Sequence, residues 1–323
     1  MTTDDGLRTT DYHRWLHGWA VLTVCATVVL LGLGSAVTTL KAGMADPVWP
    51  TSPAALAQAT PEQLQDFRWV VEHSHRLAGY VVGCCAIVLA VWLWLRERRV
   101  GLRWLGVAAL AGVSVQGVVG GFRVLEHARW GLELRILHGA FAQVVLAALV
   151  SIAVFTGRSW FRPAAVMETG MIRRLRRWSL LTLGLVYLQV VLGVLLRHTY
   201  QPLWQRLHLL AAFAAVAAIV VLVKLAFDSG TGRPLTVAAA ALAGIAALQV
   251  LLGVEAWMVQ LASGTLPDLL PLTAGRVAVR TAHVLGGSLV WALTVVVALL
   301  ARRPEASMVE VAAAPGGRLE EAA

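Results

Sequence analysis

Long apolar runs separated by short polar segments dominate the chain. Eight of these runs reach the ~20 residues that an α-helix needs to cross the ~30 Å hydrocarbon core of a bilayer. They cover residues 18–40, 72–95, 102–123, 134–156, 177–197, 204–227, 235–258 and 277–301. Only helices and closed barrels satisfy their backbone groups in lipid. The pattern therefore predicts an all-α, polytopic membrane protein with eight transmembrane helices.

The charges between the runs predict an orientation. Arginines cluster after runs two, four and eight, and positive residues in short loops favour the cytoplasmic side. They are Arg96, Arg98, Arg99, Arg103, Arg158, Arg162, Arg173, Arg174, Arg176, Arg177, Arg302 and Arg303. Both termini are thus predicted to be cytoplasmic. This topology and contact with the lipid bilayer account for the net charge of +9, so no nucleic-acid partner is expected.

Four histidines stand near the starts of the even-numbered runs, namely His75, His138, His208 and His283. Runs three, five and seven instead carry a Gln-x-x-x-Gly segment near the outer end, at residues 116–120, 189–193 and 249–253. Run one has residues 28–32 at a similar place, without the glutamine. This alternation predicts two pseudo-repeated four-helix bundles, 14–160 and 174–303. A cytoplasmic linker, 161–173, joins them, and a disordered tail, 304–323, follows.

The placement of the four histidines favours haem ligation. Ionisable groups within a membrane span are costly and tend to mark function. In each half, the two even helices can present their imidazoles to a shared space, as two axial ligands of a haem iron require. Packing, a proton relay and a non-haem metal stay open as alternatives. Zinc or non-haem iron would favour carboxylates or thiolates alongside, and only Glu72 qualifies.

Glu72 makes the first half different from the second. It lies three residues before His75, on the same helix face, whereas the equivalent positions of the other even runs hold Arg135, Gln205 and Arg280. This asymmetry predicts that one half reacts while the other holds a cofactor. Alternatively, Glu72 interacts with the helix dipole or pairs with an outer arginine.

Further polar residues lie at the outer ends of the runs. Arginines there either bind haem propionates or extend to the membrane interface, and the sequence leaves both roles open. These arginines are Arg76, Arg135, Arg197, Arg206 and Arg280. Five other histidines have no counterpart in the repeat and are predicted to be interfacial or loop residues. They are His13, His17, His73, His127 and His198.

The segment EHSHRLAGY, residues 72–80, resembles the E-x-x-H-R motif of haem A synthases. The other three histidines fall where that family has its remaining haem ligands. Residues 42–50, AGMADPVWP, are similar to the loop after the family's first helix, and the Gln-x-x-x-Gly segments also match. The resemblance covers about residues 15–303. One departure is that residues 41–71 contain no cysteine, so the chain resembles a group that lacks the family's first-loop cysteine pair.

The resemblance implies a two-step oxidation of the C8 methyl group of haem O to the formyl group of haem A, with water as the oxygen source. When the family's residue roles are transferred to the matching positions, His75 and His138 ligate the substrate haem and Glu72 is the catalytic acid or base. His208 and His283 then hold a haem b. Arg76, Arg135, Arg206 and Arg280 are the candidate propionate ligands. The wide first outer loop is expected to cover the site as a lid.

The same resemblance predicts a location and partners. It implies the inner membrane of a bacterial cell, with haem O synthase as the donor of the substrate. The electron acceptor stays open, with a quinone as one candidate, and so does a homo-oligomer. Function in cytochrome oxidase assembly is the expected biological context.

The main alternative is a membrane b-type cytochrome that passes electrons from quinol without modifying haem. Respiratory cytochromes b commonly place paired histidines one crossing apart on a single helix, whereas here the four lie on one side and on four helices. A haem O synthase is disfavoured because the predicted spans contain no D-x-x-x-D motif. A transporter or a structural assembly factor would contain no stoichiometric haem.

Overall fold

The computed structural model describes residues 12–46, 48–50, 54, 58–162, 168–263 and 272–303. Within these residues the chain forms nine helices. They are α1 (Arg14–Thr39), α2 (Pro61–Gln65), α3 (Phe67–Arg96), α4 (Val100–Leu125), α5 (His127–Thr156), α6 (Thr169–Thr199), α7 (Pro202–Asp228), α8 (Arg233–Ser263) and α9 (Ala274–Leu300). All except α2 are long and apolar enough to cross a membrane. The prediction of eight spans in a multi-pass membrane protein is confirmed.

The helices differ from the predicted runs mainly at their ends. Helix α6 begins at Thr169, inside the segment expected to be a linker. The short helix α2 was not predicted, and a reciprocal capping box between Thr60 and Gln63 forms its first turn. The expected disordered tail, 304–323, lies outside the described residues.

The long helices pack in two groups with the same order of neighbours. Helix α1 contacts α3 and α5, α3 contacts α4, and α4 contacts α5. In the second group, α6 contacts α7 and α9, α7 contacts α8, and α8 contacts α9. Helix α9 also packs on α1 and α5. Each of the four histidines therefore lies on the second helix of a sequential helical hairpin.

A buried polar contact joins the groups at α5 and α9. Gln143 Nε2 donates to Ser288 Oγ at 3.0 Å, and Trp291 Nε1 donates to the Gln143 carbonyl at 2.8 Å. Gln143 follows His138 by five residues, and Ser288 follows His283 by five. Equivalent positions of the repeat thus meet at the boundary between the two groups.

The arginine-rich ends of the helices are tied to backbone carbonyls at the opposite end of the bundle from the four histidines. Arg99 donates to the Phe155 carbonyl at 3.0 Å and Arg302 to that of Arg176 at 3.1 Å. Arg303 binds the carbonyls of Ser159 and Thr231. These contacts stabilise the end that the charge pattern predicts to be cytoplasmic, and the orientation stays a prediction.

Candidate functional site

Each of the four histidines packs against a glycine of the preceding long helix. A Cβ added at Gly34 of α1 would lie 2.8 Å from Cε1 of His75. The same contact recurs for Gly120 with His138 at 3.3 Å, Gly193 with His208 at 3.0 Å and Gly253 with His283 at 3.0 Å. Small residues let neighbouring helices approach closely in lipid. Here the close approach is between a helix backbone and an imidazole ring.

This contact corrects the alignment of the first run with the other members of the repeat. The sequence pattern aligned residues 28–32 with the Gln-x-x-x-Gly segments, but Gly34, not Gly32, contacts a histidine of the repeat. The equivalent of the glutamine is therefore Leu30, whose carbonyl lies 3.2 Å from Nδ1 of His75. The shift of two residues escaped the sequence reading because α1 has no glutamine to mark the register.

The glutamines of the three other segments also contact the histidine hairpins. Gln189 Nε2 lies 3.2 Å from Nε2 of His208, and Gln249 Nε2 lies 3.5 Å from Nε2 of His283. Gln116 instead donates to the backbone carbonyl of His138 at 3.1 Å. An amide N–H can only donate, so each imidazole in the second half presents its Nε2 lone pair to a glutamine.

His208 and His283 form a close pair in the second half. Their ring centroids are 6.5 Å apart and their planes are inclined at 77°. An imidazole nitrogen binds a metal at about 2.0 Å, so two imidazoles on opposite sides of one ion have centroids about 6 Å apart. Nδ1 of both residues is buried without a hydrogen-bond partner. The ring separation therefore fits two imidazoles on one ion, for which each Nε2 would exchange its glutamine contact for the ion.

In the first half, His75 and His138 pack against Gly34 and Gly120 as the second pair packs against its own glycines. A hydrogen bond from Nδ1 of His75 to the Leu30 carbonyl would fix the tautomer whose Nε2 carries the lone pair, as is usual for metal-binding histidines. Among the described residues, no three histidine, cysteine, aspartate or glutamate side chains form a group that could hold a metal alone.

A charged cluster lies beside this first pair. Glu72 is only 3% exposed, and its Oε1 accepts from Arg76 at 2.8 Å while its Oε2 accepts from the Asp46 amide at 2.9 Å. The Asp46 carboxylate lies 3.2 Å from the same guanidinium. The structure thus shows the pairing of Glu72 with an outer arginine that the sequence left as an alternative, and it adds Asp46, which the sequence reading missed.

His73 was predicted to lie at the interface or in a loop, but the structure places it in the interior of the molecule. It lies on α3, is 0% exposed, and stacks on Trp69 with ring centroids 4.7 Å apart and planes 6° apart. Its Nδ1 lies 3.8 Å from the Asp46 carboxylate. The sequence reading missed this position because the repeat identifies residues that several hairpins share. His73 has no counterpart in the other hairpins and belongs to the charged cluster of the first half.

The loop between α1 and α2 covers this cluster. We call residues 41–46 and 48–50 the strap. Arg76 donates to the carbonyls of Asp46 at 2.5 Å and Val48 at 2.6 Å, and Arg123 of α4 donates to that of Gly43 at 2.9 Å. The Trp49 ring fills a notch at Gly121, where an added Cβ would lie 2.1 Å from Cε2 of the indole. The strap is thus held by two helices of the first half.

The four candidate propionate ligands lie in different surroundings. Arg76 is engaged by the charged cluster and the strap, and Arg135 donates to the Gly131 carbonyl at 2.9 Å. Arg206 is exposed and Arg280 is partly buried. Arg197 donates to the carbonyl of Ser35 and the hydroxyl of Thr39, so its guanidinium links α6 to α1.

Comparisons with known proteins agree with this picture. The cytochrome oxidase assembly protein family (COX15-CtaA) matches residues 3–150. The haem A synthase of Methylobacterium sp. (strain 4-46) is 31% identical over 211 residues, which are 56% of this chain and 55% of that protein. That of Lysinibacillus sphaericus (strain C3-41) is 32% identical over 199 residues, 58% of this chain and 60% of that protein.

A third relative, the haem A synthase of Halalkalibacterium halodurans, is 26% identical over 200 residues, 59% of this chain and 62% of that protein. The chain therefore matches between 55% and 62% of the length of these three relatives. The eight apolar helices and the bacterial relatives together make this a multi-pass bacterial membrane protein. Over roughly half of its length, the chain is thus similar to the cytochrome oxidase assembly protein family and to several bacterial proteins named haem A synthase.

Proposed function

We propose that the protein is a haem A synthase, an oxidoreductase that converts the C8 methyl group of haem O to the formyl group of haem A. The observation that carries the proposal is the asymmetry between two otherwise similar histidine pairs. Both pairs lie in hairpins with the same glycine contact, but among the residues that the structure describes only the first has a buried carboxylate, Glu72, beside it. One site thus has the chemistry of a reaction centre and the other that of a cofactor site.

The substrate haem would be held by His75 and His138. Each hydroxylation of the methyl carbon by water releases two electrons and two protons, and the second hydroxylation gives a hydrate that loses water to form the aldehyde. A proton acceptor is therefore required beside the reacting group. The ion pair with Arg76 involves the ionised carboxylate of Glu72, which is the form that accepts protons.

Haem b would be held by His208 and His283. Held by these two histidines, the haem would supply electron transfer. Gln189 and Gln249 hold the two imidazoles from the neighbouring helices. Arg206 and Arg280 are the propionate candidates in this half, and Arg76 and Arg135 in the first.

The proposal extends to location and partners. The protein would lie in the inner membrane with both termini in the cytoplasm and would receive haem O from haem O synthase. A quinone is the candidate acceptor of the released electrons, and assembly into a homo-oligomer is part of the proposal. The product would serve cytochrome oxidase assembly.

The test is mass spectrometry of haems extracted from cells that make haem O but lack their own haem A synthase, with and without this protein. Haem A, or its hydroxylated intermediate, is expected only when the protein is present. If haem O stays unchanged while the correctly inserted protein carries haem b, the protein is instead an electron-transfer cytochrome. Cells that express Glu72→Ala serve as the control for background oxidation.

A further inference from the structure

The four glycines that face the histidines are the strongest unexplained feature of the two sites. Each imidazole directs the same atom, Cε1, at the glycine of the neighbouring helix. Real Cβ atoms essentially never come within 3.0 Å of another heavy atom, and separations of 3.0–3.4 Å require the neighbour to move by a few tenths of an ångström. Any side chain at these glycines would therefore displace the ring.

Close helix packing alone does not account for this arrangement. Other glycines on the same helices, Gly18, Gly117, Gly184 and Gly244, have no atom within 4 Å of an added Cβ. Glycine is thus present along these helices without being sterically required, whereas all four positions opposite an imidazole are restricted. Some glycines at other helix contacts are restricted too, such as Gly106 against Leu93 and Gly286 against Gln249, but all four positions opposite a histidine of the repeat are restricted.

We infer that Gly34, Gly120, Gly193 and Gly253 are positioning residues that set the orientation of the imidazole planes at both sites. This inference rests on the proposed function, because the planes matter only if the histidines bind haem iron. In the second half the two rings, each packed against its glycine, are inclined at 77° to one another. The angle between axial imidazole planes determines the anisotropy of a ferric low-spin haem, and nearly perpendicular planes give a large highest g value.

The test is electron paramagnetic resonance of the full-length protein, purified in detergent with its bound haem. The wild type is expected to show a highly anisotropic low-spin signal. Gly193→Ala and Gly253→Ala, which each add one methyl group 3.0 Å from Cε1, are expected to shift the highest g value downwards. The matched controls Gly184→Ala and Gly244→Ala change the same helices where there is space, and their spectra are expected to superimpose on the wild type.

The outcomes separate the inference from the proposed function. If the wild type binds low-spin haem and the Gly193→Ala and Gly253→Ala signals superimpose on it, the positioning role is wrong and the proposed function stands. If the wild type binds no low-spin haem, the proposed function is wrong and this inference with it. Loss of the haem from Gly193→Ala in a protein that elutes like Gly184→Ala supports the inference, because only the ligand geometry has then changed.

If the second-half variants fail to fold, the first half offers two glycines that lie at different distances from their imidazoles. The added Cβ would lie 2.8 Å from the ring at Gly34 but 3.3 Å at Gly120. Gly120→Ala is therefore expected to retain haem with a small spectral shift, and Gly34→Ala to show the larger change. Equal spectra for Gly34→Ala and its control Gly18→Ala would overturn the positioning role.

Discussion

The two halves of the molecule share a scaffold and differ in charge. At the outer end of the first half, Glu72, Arg76 and Asp46 form a buried ion-paired cluster under the strap. At the same level of the second half, the imidazoles of His208 and His283 meet glutamine amides, and Gln205 stands at the position of Glu72. The glycine and histidine contacts are common to both halves. Under the proposed function, local side chains and not the helix framework would therefore distinguish the reaction site from the cofactor site.

The largest expected effect comes from removing one histidine of each pair. His283→Ala is expected to abolish the bound haem b, because one axial imidazole cannot hold a bis-histidine haem in its low-spin form. His138→Ala should leave that haem in place while product formation is lost. Optical spectra and haem content of the purified variants measure both effects. Equal haem content in the two variants would contradict the division of roles.

Glu72→Gln makes the first half resemble the second, which has Gln205 at this position. The amide oxygen can still accept from the Asp46 amide, so the strap contact is retained, but the side chain can no longer accept a proton. Haem A formation is expected to fall by at least about 100-fold, the usual contribution of a general acid or base. The rate of product formation in membranes is the measurement.

Glu72→Ala is the comparison variant for this prediction. It removes both the proton acceptor and the anchor of the strap, so it should be at least as inactive as Glu72→Gln. If Glu72→Gln keeps near-normal activity while Glu72→Ala loses it, Glu72 only anchors the strap. Haem b content should be unchanged in both variants.

Gly121→Ala tests the strap of the first half. The new Cβ would lie 2.1 Å from the Trp49 ring, so the indole must leave its notch and the strap must shift. Product formation is expected to fall by about 10- to 100-fold, as is typical when a reacting group is misplaced by about an ångström. Gly117→Ala on the same helix is the control, since it adds a methyl group in open space.

The smallest effects are expected at the opposite end of the bundle. Glu97 and Arg99 form a partly buried pair at 2.8 Å after α3, whereas Lys224 and Asp228 form an exposed pair at the end of α7. Arg99→Ala is expected to lower the free energy of unfolding by about 1–3 kcal/mol. Lys224→Ala should change it by no more than about 0.5 kcal/mol. Thermal unfolding in detergent compares them, and equal losses would contradict this difference.

Acid titration measures how much the Glu97–Arg99 pair contributes to stability. Burial raises the pKa of Glu97, but the side-chain and backbone hydrogen bonds from Arg99 outweigh it and hold the pKa below the usual range. The stability from this pair is therefore present above the ordinary carboxyl pKa and is lost as the pH falls through the lowered value. Arg99→Ala should narrow the gap in stability between neutral and acidic pH relative to the wild type.

The sequence predicted the parts of the molecule that repeat or that follow from apolar length. All eight spans were located, because a run of about 20 consecutive apolar residues is typical of a transmembrane helix. The contacts of single side chains were less accessible. Asp46 and His73 belong to the charged cluster only because the strap folds back onto α3, which no periodicity marks. The register of α1 was misplaced by two residues because Leu30 replaces the glutamine that identifies the other segments.

The contacts of Arg302 and Arg303 form late in the synthesis of the chain. They follow the eighth crossing, yet they bind the carbonyl of Arg176 near the start of α6, that of Ser159 after α5 and that of Thr231 between α7 and α8. During synthesis these acceptors reach the membrane long before their donors leave the ribosome. These contacts can therefore form only after the eighth crossing has been synthesised, so the last helix of the chain completes the packing at this end of the bundle.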